Sequence, residues 1–381
     1  MKRLSNPLTI MLISLVLYGG FALAHLSWLK GDESRFVIAG AGLSDPREVP
    51  DGLYVIDGSY GYDGQFFYRL ALEPLTDRKT DHGITLDSPS YRQQRIGYPA
   101  LAWALSGGGR ARSIPWALIG INIAAMAAVG LAGAALARSL ERNALWGLVF
   151  PLYPGFVVST ARDLAEPLAA ALLLSGLVSL RRGRSTWAAL ALTAAVLTRE
   201  TTAVVPIGLA VVWLTGRVRR STVRPAREFL APFVVFGAWQ LFLYGRWNRV
   251  AMFANENAVD PPFVGMANQV RRSVSNLTSS AGLSLLEIGL AVALFVAAVF
   301  VIRSNKLLPY ERWAFAAAAF GVALFDKDIW YDHAHFLRAL TEFYLMGTLI
   351  VLAGMRKAPY RFALIVTGMW LTLVSIFVRN L

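Results

Sequence analysis

Three strings in this 381-residue chain place ionisable side chains where they could do chemistry. In Gly61-Tyr62-Asp63-Gly64-Gln65-Phe66-Phe67-Tyr68-Arg69 a single carboxylate, Asp63, sits between two glycines among aromatic residues. A carboxylate held at a surface in this way can accept a proton or bind a divalent ion; the same string also reads as a turn followed by an amphipathic interfacial helix. In Tyr91-Arg92-Gln93-Gln94-Arg95-Ile96-Gly97-Tyr98-Pro99 the arginines suit either a lipid phosphate or headgroup anchoring. The third string, Asp326-Lys327-Asp328-Ile329-Trp330-Tyr331-Asp332-His333-Ala334-His335, is followed closely by Arg338. Asp332, His333 and His335 are metal-ligand types without the spacing of a strong motif, whereas Lys327, His333 and Arg338 suit phosphate contacts. Further charges, Arg162-Asp163, Glu166 and Arg199-Glu200, fall at tight turns between apolar runs. Charges at such boundaries are costly when submerged, so they face a polar cavity or are capped and paired.

Several chemistries are excluded. Without cysteine there are no disulfides, thiolate metal sites or cysteine nucleophiles. Gly107-Gly108-Gly109-Arg110 lacks the Lys-Ser/Thr of a phosphate-binding loop, and no Gly-X-Ser-X-Gly elbow, dinucleotide fingerprint or nucleic-acid pattern occurs.

The elements that must position these residues are membrane spans. The chain is 56% hydrophobic and only 16% charged, with a mean hydropathy of +0.49, which excludes a disordered chain, a coiled coil and an ordinary soluble enzyme. Apolar runs lie at 8–29, 114–137, 144–160, 164–180, 186–198, 202–215, 229–245, 282–302, 312–325, 339–355 and 361–378. The expected fold is therefore all-α and polytopic, one membrane domain over 1–381 with about eleven spans (10–13). The first run reads as a retained helix rather than a cleaved leader. The run 96–106 reads as non-spanning, within a long outer first loop, 30–113, that carries interfacial helices; 246–281 forms a second outer loop. Charge orients this topology. With the N-terminus inside, the inner segments hold 18 basic and 3 acidic residues, a net +15, so the rest of the +13 chain sums to −2. The basic excess is thus an orientation signal, and no nucleic-acid partner is expected.

The strings together resemble the integral-membrane glycosyltransferases of the GT-C superfamily, which use lipid-phosphate-linked sugars. More narrowly, Tyr62 to Tyr68, Arg95-Ile96-Gly97-Tyr98-Pro99, Arg162-Asp163-Leu164-Ala165-Glu166-Pro167 and Leu197-Thr198-Arg199-Glu200-Thr201 look like strings of a bacterial mannosyltransferase-like branch. The resemblance runs over about 8–378. It implies transfer of a sugar from a polyprenyl-phosphate donor to a lipid, glycan or protein acceptor, with inversion, on the extracytoplasmic face of the plasma membrane. Asp63 takes the role of general base. Arg95, Arg162, Arg199, Lys327, His333 and Arg338 are the candidates for the donor phosphate. Tyr62, Gln65, Asp163, Glu166, Glu200 and Asp332 would orient substrate or fix the arginines. Many members carry an acidic pair in the first loop where this chain has Gly-Tyr-Asp-Gly, which leaves dependence on Mg or Mn open. Lacking a large soluble C-terminal domain, the protein would recognise its acceptor through membrane loops. Besides donor and membrane lipids the resemblance implies no partner, and it leaves the oligomeric state unassigned. The competing readings are a transporter or flippase for a lipid-linked or anionic solute, with a midplane site and two-sided access, and a non-catalytic assembly protein in which Asp63 is dispensable.

Overall fold

The computed structural model describes residues 6–218, 226–251, 260–276, 278–331, 333–355, 357 and 359–378. Every apolar run is helical. The helices in order are α1 (Pro7–Trp28), α2 (Gly64–Leu72), α3 (Pro89–Gln93), α4 (Gly97–Leu105), α5 (Ile114–Ser139), α6 (Pro154–Thr160), α7 (Glu166–Arg181), α8 (Ser185–Thr198) and α9 (Val204–Val218). They continue with α10 (Arg227–Trp247), α11 (Val264–Ser275), α12 (Ser279–Val301), α13 (Pro309–Ala323), α14 (Lys327–Tyr331), α15 (His333–Ala339), α16 (Thr341–Gly354) and α17 (Tyr360–Val378). Two small two-stranded sheets lie between α1 and α3: a parallel pair, β1 (Ala39–Gly40) with β2 (Val55–Ile56), and an antiparallel pair, β3 (Thr80–Asp81) with β4 (Ile84–Thr85).

Among the described residues five helices are long and apolar enough to cross a membrane: Pro7–Trp28, Ala111–Ser139, Arg227–Trp247, Ala281–Val301 and Tyr360–Val378. Shorter apolar helices occupy Ser185–Thr198, Glu200–Gly216 and Thr341–Gly354. Val16, Leu23, Leu241, Phe300 and Leu364 project outward from them as exposed side chains. A soluble bundle would carry charge there; this surface is consistent with a multi-pass membrane protein.

The run 144–160 is not one helix. Pro151 and Pro154 each lack a backbone N–H, and the segment divides into a 3-10 stretch, Ala144–Val149, and α6. The Tyr344 hydroxyl donates to the Val149 carbonyl at 2.8 Å and the Tyr18 hydroxyl to that of Pro151 at 2.6 Å. In lipid, where apolar burial gives helices little reason to associate, bonds of this kind contribute roughly 0.6–2 kcal/mol each. They bring α1, α6 and α16 together around a core of Tyr153, Phe156, Leu174 and Leu345.

The bundle has two chemically distinct ends. At one, Arg181 pairs with Glu311 at 2.7 Å, Lys306 pairs with Glu141 at 2.6 Å, and Arg142 Nε donates to the Leu352 carbonyl at 3.0 Å. These contacts gather the ends of α5, α7 and α16 with the start of α13. At the other end lie the 30–113 segment, the turn between α6 and α7, the turn after α8, and α15. The C-terminal ends of α1 and α17 also meet there, where His25 Nδ1 lies 3.1 Å from the Phe377 carbonyl.

Candidate functional site

Asp63 precedes α2 after a turn in which Gly61 takes φ +72°, a left-handed conformation that glycine adopts without strain. Its carboxylate does not cap α2. One oxygen accepts from Arg92 Nη1 at 2.8 Å and the other from Arg338 Nη1 at 2.6 Å. The turn is pressed hard onto the bundle. A Cβ added at Gly64 would fall 2.6 Å from the carbonyl oxygens of both Arg162 and Val37, backbone that cannot swing aside.

From Asp63 a chain of alternating charges runs in both directions. Arg92 also pairs with Asp87 at 2.7 Å. Arg338 reaches Glu166 at 2.8 Å through Nε. Glu166 lies 3.6 Å from Arg199 Nε, and Arg199 Nη1 pairs with Glu342 at 2.7 Å. Asp87, Arg92, Asp63, Arg338, Glu166, Arg199 and Glu342 thus form one continuous series built from five stretches of sequence. Alongside, Arg95 pairs with Glu200 at 2.6 Å and donates to the Tyr91 hydroxyl at 2.8 Å. Gly97 lets α4 approach α8, since a Cβ there would clash with Thr198 Oγ1; this sets Arg95 against the Arg199-Glu200 turn.

Arg162 differs from these arginines. Its guanidinium lies 4.4 Å from the Tyr62 ring centroid and 6.0 Å from that of Phe377, and it has no carboxylate partner among the described residues. Arg338 lies 5.5 Å from the same Tyr62 ring, which stacks on His335 at 5.2 Å. A cation held over an aromatic face keeps its N–H donors for a ligand.

The electrostatics of the two aspartates are opposite. Burial alone would raise the Asp63 carboxyl, but Arg338, Arg92 and Arg95 outweigh it and hold the group far below the usual carboxylate range. Asp163 lies in the α6–α7 turn with φ +48°, in the left-handed region. Its side chain is fully buried and neither oxygen has a hydrogen-bond partner among the described residues. Burial raises its carboxyl well above the ordinary value, with no cation to reverse the shift.

The surroundings of Asp63 do not fit a divalent cation, because both oxygens face guanidiniums whose charge would repel it. Among the described residues, the one group of three carboxylate or histidine side chains close enough to share an ion is Glu73, Asp81 and His82. Asp81 there already lies 3.4 Å from Arg69 and 3.7 Å from Arg78.

Of the residues singled out in the sequence, Asp63, Glu166, Arg199 and Arg338 share the ion-pair chain; Tyr62, Arg95, Arg162 and Glu200 adjoin it. Asp163 is turned into the interior near Tyr98. Gln65 is spent within its own loop. Its Oε1 accepts from Gly40 N at 3.2 Å and Ser44 Oγ at 2.9 Å, and its Nε2 donates to the Tyr60 carbonyl at 2.8 Å. Lys327 is exposed, and its side chain joins no ion pair among the described residues. Asp332 and the side chain of His333 lie outside the described residues. Glu342 was not singled out, and Arg92 was named within its string but not among the candidates for the donor phosphate. Glu342 carries a legible signal, being a carboxylate in the first turn of an apolar helix. Compared with known proteins, the chain matches no family model and no curated protein sequence.

Proposed function

We propose that the protein is a polytopic glycosyltransferase of GT-C type in a bacterial plasma membrane. It would cross the bilayer about eleven times, with the basic end in the cytoplasm and the ion-pair chain at the extracytoplasmic surface. It moves a sugar from a polyprenyl-phosphate donor to an acceptor hydroxyl. The observation that carries the reading is the pairing of Arg92 and Arg338 with one carboxylate, Asp63, with Arg162 over the neighbouring Tyr62 ring and Arg95 on Glu200 alongside, at the end of the bundle opposite the basic loops.

In the reaction the acceptor oxygen attacks the anomeric carbon, the bond from that carbon to the phosphate oxygen breaks, and configuration inverts. The guanidiniums stabilise the negative charge that grows on the departing phosphate. Asp63 takes the acceptor proton. The energy comes from the sugar–phosphate bond, so the lack of a nucleotide motif fits the reading. An end-on site also favours transfer over transport, which calls for a midplane site reachable from both sides.

The test is transfer of radiolabelled sugar from polyprenyl-phosphate sugars by purified protein in liposomes, with acceptors supplied by lipid extracts of a strain lacking the gene. Wild type should label an extractable product, and Asp63→Asn should lose at least about a hundredfold of that rate while keeping its elution profile. Full activity in Asp63→Asn, or no product with any donor, would remove the assignment.

A further inference from the structure

In this geometry the general base of the proposed reaction is also the anion occupying the phosphate site. Each Asp63 oxygen holds a separate guanidinium, Arg92 at 2.8 Å and Arg338 at 2.6 Å. These donors suit a phosphate, and Arg162 stands beside them over the Tyr62 ring without a carboxylate partner among the described residues. A carboxylate so held is a poor proton acceptor. A phosphate bound elsewhere would leave these guanidiniums far from the charge that develops. Both difficulties vanish if the two anions exchange.

We infer that the donor phosphate and the Asp63 carboxylate compete for Arg92 and Arg338, so that phosphate binding frees Asp63 to act and Asp63 later helps to expel the product phosphate. The inference rests on the proposed reading and assigns to Arg92, for which headgroup anchoring was the alternative, direct contact with phosphate. The charges balance at each step. A sugar phosphodiester carries one negative charge, as the carboxylate it displaces does, so donor binding leaves the charge facing the guanidiniums unchanged. Breaking the carbon–oxygen bond leaves the second charge on the phosphate as a monoester. The proton released by the acceptor hydroxyl goes to Asp63, which becomes neutral. When Asp63 loses that proton to water, its restored charge competes again for Arg92 and Arg338. Arg–phosphate pairs form parallel charge-assisted bonds as Arg–carboxylate pairs do, so neither anion is held irreversibly.

The two arginines are arranged for such an exchange. Arg92 keeps Asp87 at 2.7 Å and Arg338 keeps Glu166 at 2.8 Å when Asp63 departs. Neither guanidinium loses its last carboxylate at any stage, and Asp63→Asn should therefore fold.

The experiment measures binding of geranyl phosphate and, separately, inorganic phosphate to detergent-purified full-length protein by titration calorimetry. Asp63→Asn removes the competing anion and should bind about tenfold more tightly than wild type, equivalent to about 1.4 kcal/mol. Arg92→Gln, at the rim of the site with the Asp63–Arg338 pair intact, should bind about tenfold more weakly. Tightening with geranyl phosphate alone assigns the anion to a lipid; equal tightening with both probes assigns it to a soluble phosphate, and the exchange stands in either case. Unchanged or weaker binding of both probes by Asp63→Asn, or unaltered binding by Arg92→Gln, would overturn it. If Asp63→Asn binds more tightly while no sugar transfer is found with any donor, the glycosyltransferase reading falls and the exchange remains.

Discussion

Arg338 is the hub of the ion-pair chain, and removing it gives the sharpest test of whether that chain acts as one unit. Its guanidinium lies 2.6 Å from Asp63 and 2.8 Å from Glu166. In Arg338→Gln the two carboxylates are not equally affected. Asp63 keeps Arg92 at 2.8 Å, whereas Glu166, almost fully buried, is left with Arg199 at 3.6 Å. Breaking a buried ion pair by removing one partner costs about 3–5 kcal/mol. Because Arg199 remains near Glu166, we expect the lower end, about 3 kcal/mol. Glu166→Gln alone leaves Arg338 paired with Asp63 and should cost about 1–2 kcal/mol. Combining both removes the orphaned charge together with its partner, so the double variant should be less destabilised than the sum by about 2 kcal/mol. Arg338→Lys, a point charge that cannot bridge two carboxylates in a fixed fork, should fall between wild type and Arg338→Gln. The assay is reversible unfolding in mixed micelles titrated with dodecyl sulfate, comparing wild type, both single variants and the double. Single-variant costs that add to within about 0.5 kcal/mol would show that the pair is not coupled, and the chain would then be a row of independent surface contacts.

Two further outcomes follow from the same geometry. Burial raises the Asp163 carboxyl well above its unfolded value near 4, so wild type should lose stability as pH rises from about 4 toward the raised folded value. Asp163→Asn should therefore be more stable than wild type at pH 8, with the gap closing toward pH 4; an Asp163→Asn protein less stable at every pH would refute the shift. Gly64→Ala should destabilise the protein and weaken phosphate binding, because its Cβ would strike two backbone carbonyls, whereas Gly120→Ala, with nothing within 4 Å, should be neutral or slightly stabilising in thermal melts.

The helices were legible because apolar runs in lipid have one way to satisfy their backbone, and each of the eleven runs is helical over most of its length. The exception, 144–160, was also legible in principle: Pro151 and Pro154 mark the break that hydropathy smooths over. The site was legible as a set of candidates and not as an arrangement. Charges at turns announced Arg162, Glu166, Arg199 and Glu200, and all four come to one end of the bundle. Pairing was hidden, because Arg338 and Glu166 are 172 positions apart and Arg199 and Glu342 are 143 apart. Nothing local links such residues, and their meeting depends on which helices become neighbours. Arg92 and Arg95 show the limit best. They stand three positions apart in one string, yet one closes on Asp63 and the other on Glu200. Gln65 shows the opposite error: its place beside Asp63 suggests a substrate contact, while its amide is needed to hold the loop together.

The energetic cost of this chain bears on its meaning. Of the seven ionisable groups Asp87 stays exposed, but Glu166, Arg199, Arg338 and Glu342 are buried and must be stripped of water, and replacing buried pairs by well-packed apolar groups is often neutral or stabilising. Stability alone is therefore a weak reason for them to be here. Their placement gives a better one. Among the described residues the Asp63–Arg338 and Arg95–Glu200 pairs are the ion pairs that join the 30–113 segment to the bundle. The group that docks the loop is thus the same group that an incoming phosphate would have to displace. A ligand taking Arg338 from Asp63 would remove one of these ion pairs and leave Arg95–Glu200 to help hold the loop in register. Anchoring the loop on one pair while spending the other on substrate lets the site open to an anion without coming apart. An apolar contact of equal stability could not supply that, because it would offer a phosphate nothing to exchange with.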